Sequence, residues 1–296
     1  MSHDLHEVED LVAKAAVLHE ALPYIQRFHG KTFVIKYGGH AMIDPALRDS
    51  FARDVTLMKL IGIHPIVVHG GGPQIDAMLA QMGVVSERID GLRVTDDKTM
   101  DVVEMVLGGR VGSEIVALMC RAGAHAVGLT GKADAFLRAE KIPRMKTKAG
   151  REVDPGRVGR IVEVKTHILD QLVAGGFIPV IAPIAVDADG RALNVNADTV
   201  AGAIAAATKA EKLLLMTDIE GVRAADGKIA SSISQHEVRA LIEGGVISGG
   251  MIPKVQCALD AISAGVGKCH VVDGRVQHAA LLEIFTDQGI GTEIVA

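Results

Sequence analysis

Two apolar runs that end in glycine constrain this chain most. Residues 31–42 read KTFVIKYGGHAM, and residues 65–75 read PIVVHGGGPQI. Each run is rich in β-branched residues and unbroken by polar alternation, the pattern of a parallel strand covered on both faces. A helix signal follows each. Asp44-Pro45 supplies a cap and a first-turn proline, with Phe51, Val55 and Met58 on one face. Pro73 opens the second helix, with Ile75, Met78, Leu79 and Met82 on its apolar side. Gly62 and Gly83 close the two. Successive strand–glycine–helix units predict an open α/β sheet whose ligand crevice lies beyond the strand carboxyl ends.

The rest of the chain extends this pattern. Residues 7–27 form a helix with apolar positions at Val8, Leu11, Val12, Leu18, Leu22 and Ile25, a stripe that needs a covering surface. A longer helical region, 97–122, is interrupted around Gly108-Gly109, and its Met100, Met105 and Met119 read as core fillers. Residues 124–194 read as irregular strands and hairpins beside the sheet. Strand candidates lie at 161–164 and 177–184, turns at DPGRVG and DADGRA, and a short helix at 167–174. Helices and strands then alternate: helix 198–209, strand 213–217, a capping box from Ser234 and Glu237, a helix after Pro253, strand 268–272, helix 278–285 and a last strand near 292–295.

Composition excludes several classes. With 296 residues, 49% of them hydrophobic, the chain suits one large α/β unit or two lobes. Its net charge of −5, well mixed in sign, and its 3% aromatic content without tryptophan argue against a nucleic-acid partner. No apolar run is long enough for a membrane span, and the acidic start MSHDLHEVED is unlike a secretory leader. Cys120, Cys257 and Cys269 form no CxxC, which fits a reducing, cytoplasmic compartment, and they read as small core hydrophobes.

The candidate site residues cluster at the predicted strand ends. Gly38-Gly39 and Gly70–Gly72 let backbone amides approach an anion, and the helix after each adds its positive end. Lys36 ends an apolar strand beside both loops, where a cation suits oxygen charge that moves during reaction. Lys254 follows Gly249-Gly250 in the opening turn of a helix, an unfavourable place for a cation unless an anion compensates. Arg93 offers a fork matched to a carboxylate. Asn194 and Asp198 flank a helix start that Asn196 caps, and TDIEGV with Thr217 and Asp218 reads as a nucleotide rim. Other motifs fail: TGKA lacks the Walker spacing, DADG places its glycine too early for a calcium hand, and there is no HExxH or GxSxG.

Taken together, KYGGHAM, VVHGGGPQI, DGLRVTD, NVNADTVAGAIA, LLLMTDIEGV, GGMIPKV and GIGT resemble the N-acetyl-L-glutamate kinases of the amino-acid kinase family, over essentially residues 30–296. The resemblance implies a three-layer αβα sandwich with an open, mainly parallel sheet. It implies an N-terminal lobe at 30–206 for the acylamino acid and for dimerisation, and a C-terminal lobe at 207–296 for ATP. The implied reaction is phosphorylation of the γ-carboxylate of N-acetyl-L-glutamate by MgATP in arginine synthesis. By the same carry-over Lys36 and Lys254 stabilise the transferring phosphoryl group, Asp198 organises them, and Gly71, Gly72, Arg93 and Asn194 hold the acylamino acid. Gly38, Gly39, Thr217, Asp218, Gly249 and Gly250 belong to the nucleotide, and no residue is assigned to the metal. Another kinase of the superfamily, for aspartate or carbamate, and a non-catalytic amino-acid-binding regulatory module are the alternatives. An N-terminal extension such as 1–29 marks the arginine-inhibited members, in which dimers interlace into a hexamer; Tyr24, Glu283 and Gly289 then belong to the arginine site.

Overall fold

A computed structural model describes residues 5–89, 91–147, 150, 152–286 and 289–296. Eight strands build its central sheet: β1 (Thr32–Tyr37), β2 (His64–His69), β3 (Ala126–Thr130), β4 (Ile178–Ala182), β5 (Lys212–Thr217), β6 (Ser232–Ser234), β7 (Lys268–Asp273) and β8 (Thr292–Val295). Their order is β6-β8-β7-β5-β1-β2-β4-β3. All neighbours run parallel except β7 and β8. The described helices are α1 (Leu5–Phe28), α2 (Pro45–Leu60), α3 (Gly72–Gln81), α4 (Asp97–Val103), α5 (Gly112–Arg121), α6 (His167–Ala174), α7 (Ala197–Ala207), α8 (Gln235–Glu243), α9 (Ile252–Ser263) and α10 (Ala279–Phe285).

The two-residue period of β1 divides the core. Phe33, Ile35 and Tyr37 pack with residues of α2, α3, α4, α5 and α10, whereas Val34 packs with residues of α6, α7, α8 and α9. The product is the expected three-layer αβα sandwich. Lys36 shares the face of Val34, so its side chain is aimed at the α7 layer. The helix starts follow their caps. Asp44 accepts from the Leu47 amide, Asn196 from those of Asp198 and Thr199, and Ser234 and Glu237 form a reciprocal capping box.

Several expectations are corrected. The segment 124–194 does not lie wholly beside the sheet: β4 is an inner strand of it, and β3 is its edge. β3 escaped notice because AVGLT is short, is broken by Gly128 and is only half-buried, so it has no apolar run. The remaining middle strands do lie beside the central sheet: 192–194, 184–186, 137–141 and 159–164 form a four-stranded sheet, and 145–146 pairs with 152–153 in a two-stranded one. The interruption in the long helix is an eight-residue π-helix, Glu104–Val111. Met82 and Met105 are exposed, at 54% and 56%, because each lies on the solvent side of its helix. Cys257 and Cys269 are buried, but Cys120 is exposed near the end of α5. In α1, Val8 and Leu11 lie outside the described side chains. Val12, Leu18 and Leu22 are exposed, and coverage begins only at Tyr24, Ile25 and Phe28.

Candidate active site

The carboxyl ends of β1 and β5 meet the amino ends of α7 and α9 at one carboxylate. Asp198 lies in the first turn of α7, 6% exposed, with Lys36 Nζ 3.1 Å from Oδ1 and Lys254 Nζ donating to Oδ2 at 3.0 Å. The Lys36 ion pair is the contact this buried Oδ1 makes among the described residues. Asp198 is also the anion that compensates Lys254 at the start of α9. Burial works against ionised Asp198, yet Lys36 and Lys254 together hold its carboxyl below the ordinary value. Burial pulls the Lys36 ammonium below its usual value, Asp198 opposes that fall, and Lys254 adds to it. Two cations share this one carboxylate at the strand ends, and Asp218 is a further anion near enough to act on Lys36.

Around it opens a cleft of about 280 Å³ that takes in Lys36, both glycine loops, Arg93, Asn194 and Asp198. The loops are tight for stated reasons. Gly39 has φ +73°, and a β-carbon there would stand 2.3 Å from Asp218 Oδ1, which accepts from the His40 amide at 2.6 Å. A β-carbon on Gly38 would meet Lys36 Nζ at 2.5 Å. Arg93 sits on a short hairpin, Arg88–Ile89 with Leu92–Arg93, and donates to Asp76, Ser86 and the Gly72 carbonyl. Asn194 Nδ2 donates to Thr95 Oγ1 at 3.2 Å. Leu92, Leu107 and Val158 add an apolar wall, Leu107 reaching it from the π-helix.

The nucleotide-rim residues are dispersed. Asp218 lines a second cleft of about 360 Å³ with Gly221, Arg223, Ser248, Met251 and Arg275. Gly249 and Gly250 lie in a 3₁₀ turn between two of those residues. Thr217 is buried at the end of β5 and borders neither cleft. Sequence reasoning missed Arg275, which clamps Asp273 through Nε and Nη2 at 2.9 and 2.7 Å. It also missed Arg88 and Asp76. The Asp90-Gly91 pair is a two-residue hairpin signal that would have set Arg88 opposite Arg93.

A third cleft of about 730 Å³ lies at the amino ends of the strands and takes in Tyr24, Glu283 and Gly289, together with Lys212, His270 and Glu293. Glu283 Oε2 accepts from the Ile290 and Gly291 amides at 2.7 and 2.9 Å, and Oε1 lies 2.7 Å from His270 Nδ1. Lys212 Nζ lies 2.9 Å from His270 Nε2. An ammonium only donates, so Nε2 accepts and Nδ1 carries the proton toward Glu283. Burial pulls Lys212 down to about 8, Glu293 opposing. Tyr24 packs edge-on against Phe285, with 6.1 Å between ring centroids. Lys212 and His270 were missed because both sit in strands that read only as apolar sheet.

The amino acid kinase family model matches residues 31–273. Curated acetylglutamate kinases of Geobacter sp. (strain M21) and Geotalea uraniireducens (strain Rf4) are 56% and 57% identical to this chain, over 98% and 96% of it and 100% and 99% of their own lengths. Among solved structures, N-acetylglutamate synthase from Neisseria gonorrhoeae matches with a TM-score of 0.84 and 26% identity over 95% of this chain, which spans 63% of that longer protein. Carbamate kinase from Giardia lamblia matches at 0.65 and 18% identity, over 90% of this chain and 98% of its own, a likeness of fold. The chain belongs to the amino acid kinase family, and within it to the acetylglutamate kinases.

Proposed function

We propose that the chain transfers the γ-phosphoryl group of ATP to the γ-carboxylate of N-acetyl-L-glutamate, giving N-acetyl-L-glutamyl 5-phosphate and ADP in arginine biosynthesis. The observation that carries this reading is the Lys36–Asp198–Lys254 trio, set between a cleft with a carboxylate-matched arginine and the cleft at Asp218. A carboxylate is already a competent nucleophile at neutral pH, so the site needs no general base. Phosphoryl transfer then requires alignment and stabilisation of charge on the transferring oxygens. Lys36 is read as neutralising that charge from the acylamino-acid side and Lys254 from the nucleotide side. Asp198 aims both ammonium groups and opposes the burial-driven fall of the Lys36 pKa, and the amides near Gly39 and Gly71–Gly72 meet the remaining oxygens. On this reading residues 30–206 supply the acylamino-acid groups, and 207–296 supply those for ATP apart from the Gly38-Gly39 amides.

Magnesium enters with the nucleotide. Asp198 is committed to two lysines, so no residue is assigned to the metal and the ATP phosphates and water are read as its ligands.

A second reading concerns control. The exposed Val12, Leu18 and Leu22 of the α1 stripe suit burial against a second copy, and the Glu283 cleft offers carboxylates to a guanidinium. We read these as the hexamer contact, joining dimers, and the L-arginine site.

The test is ADP release in a coupled assay with N-acetylglutamate, glutamate, aspartate or carbamate as acceptor. Turnover should require N-acetylglutamate. Preference for aspartate or carbamate, or no turnover with any acceptor, would sink the proposal.

A further inference from the structure

The arginine of the acylamino-acid cleft is held from behind by a carboxylate that phosphoryl transfer does not use. α3 begins at Gly72, at the end of the second glycine loop, and carries Asp76 one turn further on. Both grip the same guanidinium. Arg93 Nη1 donates to Asp76 Oδ1 and Ser86 Oγ, while Nη2 donates to the Gly72 carbonyl at 3.1 Å. The Arg93 side chain is 4% exposed, so its orientation is fixed by these partners and not by water. Three of its five N–H donors are thereby engaged among the described residues, leaving two for a ligand.

The other oxygen of Asp76 is also occupied. Arg88 stands opposite Arg93 in the hairpin register and donates from Nη2 to Asp76 Oδ2 at 3.0 Å. Two guanidinium groups directly across a hairpin repel one another. The carboxylate between them removes that repulsion and leaves one net positive charge at the cleft wall. Burial opposes ionised Asp76, but hydrogen bonds from Arg93 and Arg88 hold its carboxyl below the ordinary value, so it stays anionic at neutral pH. An anion in this place cannot itself bind an anionic substrate. Its contribution passes through the arginine.

We infer that Asp76 is a positioning residue: with the Gly72 carbonyl it fixes the Arg93 guanidinium relative to the glycine loop, so that the two remaining donors meet the α-carboxylate of the acylamino acid. This rests on the kinase reading above, in which Arg93 grips that carboxylate. Because Gly72 and Asp76 belong to one helix, the grip and the loop where the γ-carboxylate reacts are parts of one rigid body.

The experiment is steady-state kinetics on the full chain carrying Asp76→Asn, Asp76→Ala, Arg93→Lys or the Asp76→Ala/Arg93→Lys pair. Asp76→Ala should raise KM for N-acetylglutamate about tenfold, with KM for ATP within about twofold and kcat within about threefold of the unaltered chain. Asp76→Asn keeps the shape and one acceptor oxygen, so it should fold alike and give a smaller rise; it carries the test if the alanine variant is unstable. In the Arg93→Lys background Asp76→Ala should add less than about twofold, because the group it positions has gone. A rise below about threefold for Asp76→Ala, an equal rise in KM for ATP, or effects that multiply in the double variant would overturn the inference. An unaltered chain inactive on N-acetylglutamate would instead overturn the kinase reading, so the two failures are distinguishable.

Discussion

Asp198→Asn tests the trio most directly, because it removes one charge and almost no volume. The carboxylate lies 3.1 Å from one ammonium and 3.0 Å from the other. At an effective dielectric of about 20, each contact is a gross attraction of about 5 kcal/mol. Most of that offsets the cost of burying the ions, and removing one member of a buried pair typically costs about 3–5 kcal/mol. The variant leaves two cations facing a neutral amide. Asp198 is what opposes the burial-driven fall in the Lys36 pKa, so without it that value drops further. Above the lowered pKa, Lys36 is neutral and cannot balance phosphoryl charge. We therefore expect kcat to fall by about two to three orders of magnitude, roughly 3–4 kcal/mol. The deficit should widen as pH rises, over a range where the unaltered chain changes less. The assay is kcat at saturating substrates from about pH 6 to 9, a window wholly below the ordinary lysine value of about 10.4, so that only a lowered ammonium titrates within it. A folded variant within about threefold of the unaltered chain, or one whose deficit is independent of pH, would refute the reasoning.

Other outcomes follow from the same geometry. Lys36→Ala should lower kcat by about two to three orders of magnitude; a loss below about threefold in folded protein would defeat its role. Lys254→Ala should damage turnover more than ATP binding, and lost affinity with intact turnover at saturation would contradict that. Arg93→Lys keeps the charge and discards the fork, so KM for N-acetylglutamate should rise while KM for ATP changes little; equal rises would count against it. Deletion of residues 1–27 should leave active dimers that respond poorly to arginine. Light scattering of the full chain checks the hexamer, and an arginine titration of its activity checks the regulation independently.

What was legible in the sequence was whatever depends on local chemistry. The caps at Asp44, Asn196 and Ser234 and the glycine-terminated runs located the helices and the cleft. The misplaced charge of Lys254 was legible too, although the anion that answers it belongs to the protein. Asp76 was hidden because it reads as the polar side of an amphipathic helix, and its meaning depends on a hairpin twelve residues downstream. The π-helix was visible only as a glycine pair. Whether such a pair kinks a helix or adds a residue to its turns depends on its neighbours, here Thr130, 3.1 Å from where a β-carbon on Gly108 would stand. β3 was lost for the opposite reason: an edge strand buries too little to need an apolar run.

The parallel sheet has a mechanical consequence. In β1, Phe33 stacks edge-on against Phe28 of α1, with 5.2 Å between ring centroids, and pairs in register with Lys212 of β5. Three residues further on, the same strand presents Lys36 to Asp198. At about 3.3 Å per residue, Phe33, which adjoins the Phe28 and Lys212 lining the Tyr24–Glu283 cleft, and Lys36, at the proposed phosphoryl site, are about 10 Å apart on one rod. β5 runs beside it in the same direction, from Lys212 to Thr217, with Asp218 just beyond. The two rods are clamped in register from Phe33 beside Lys212 to Lys36 beside Leu215, so the cleft at their amino ends and the lysine and glycine turn at their carboxyl ends are held by one stiff plank, with no loop between them.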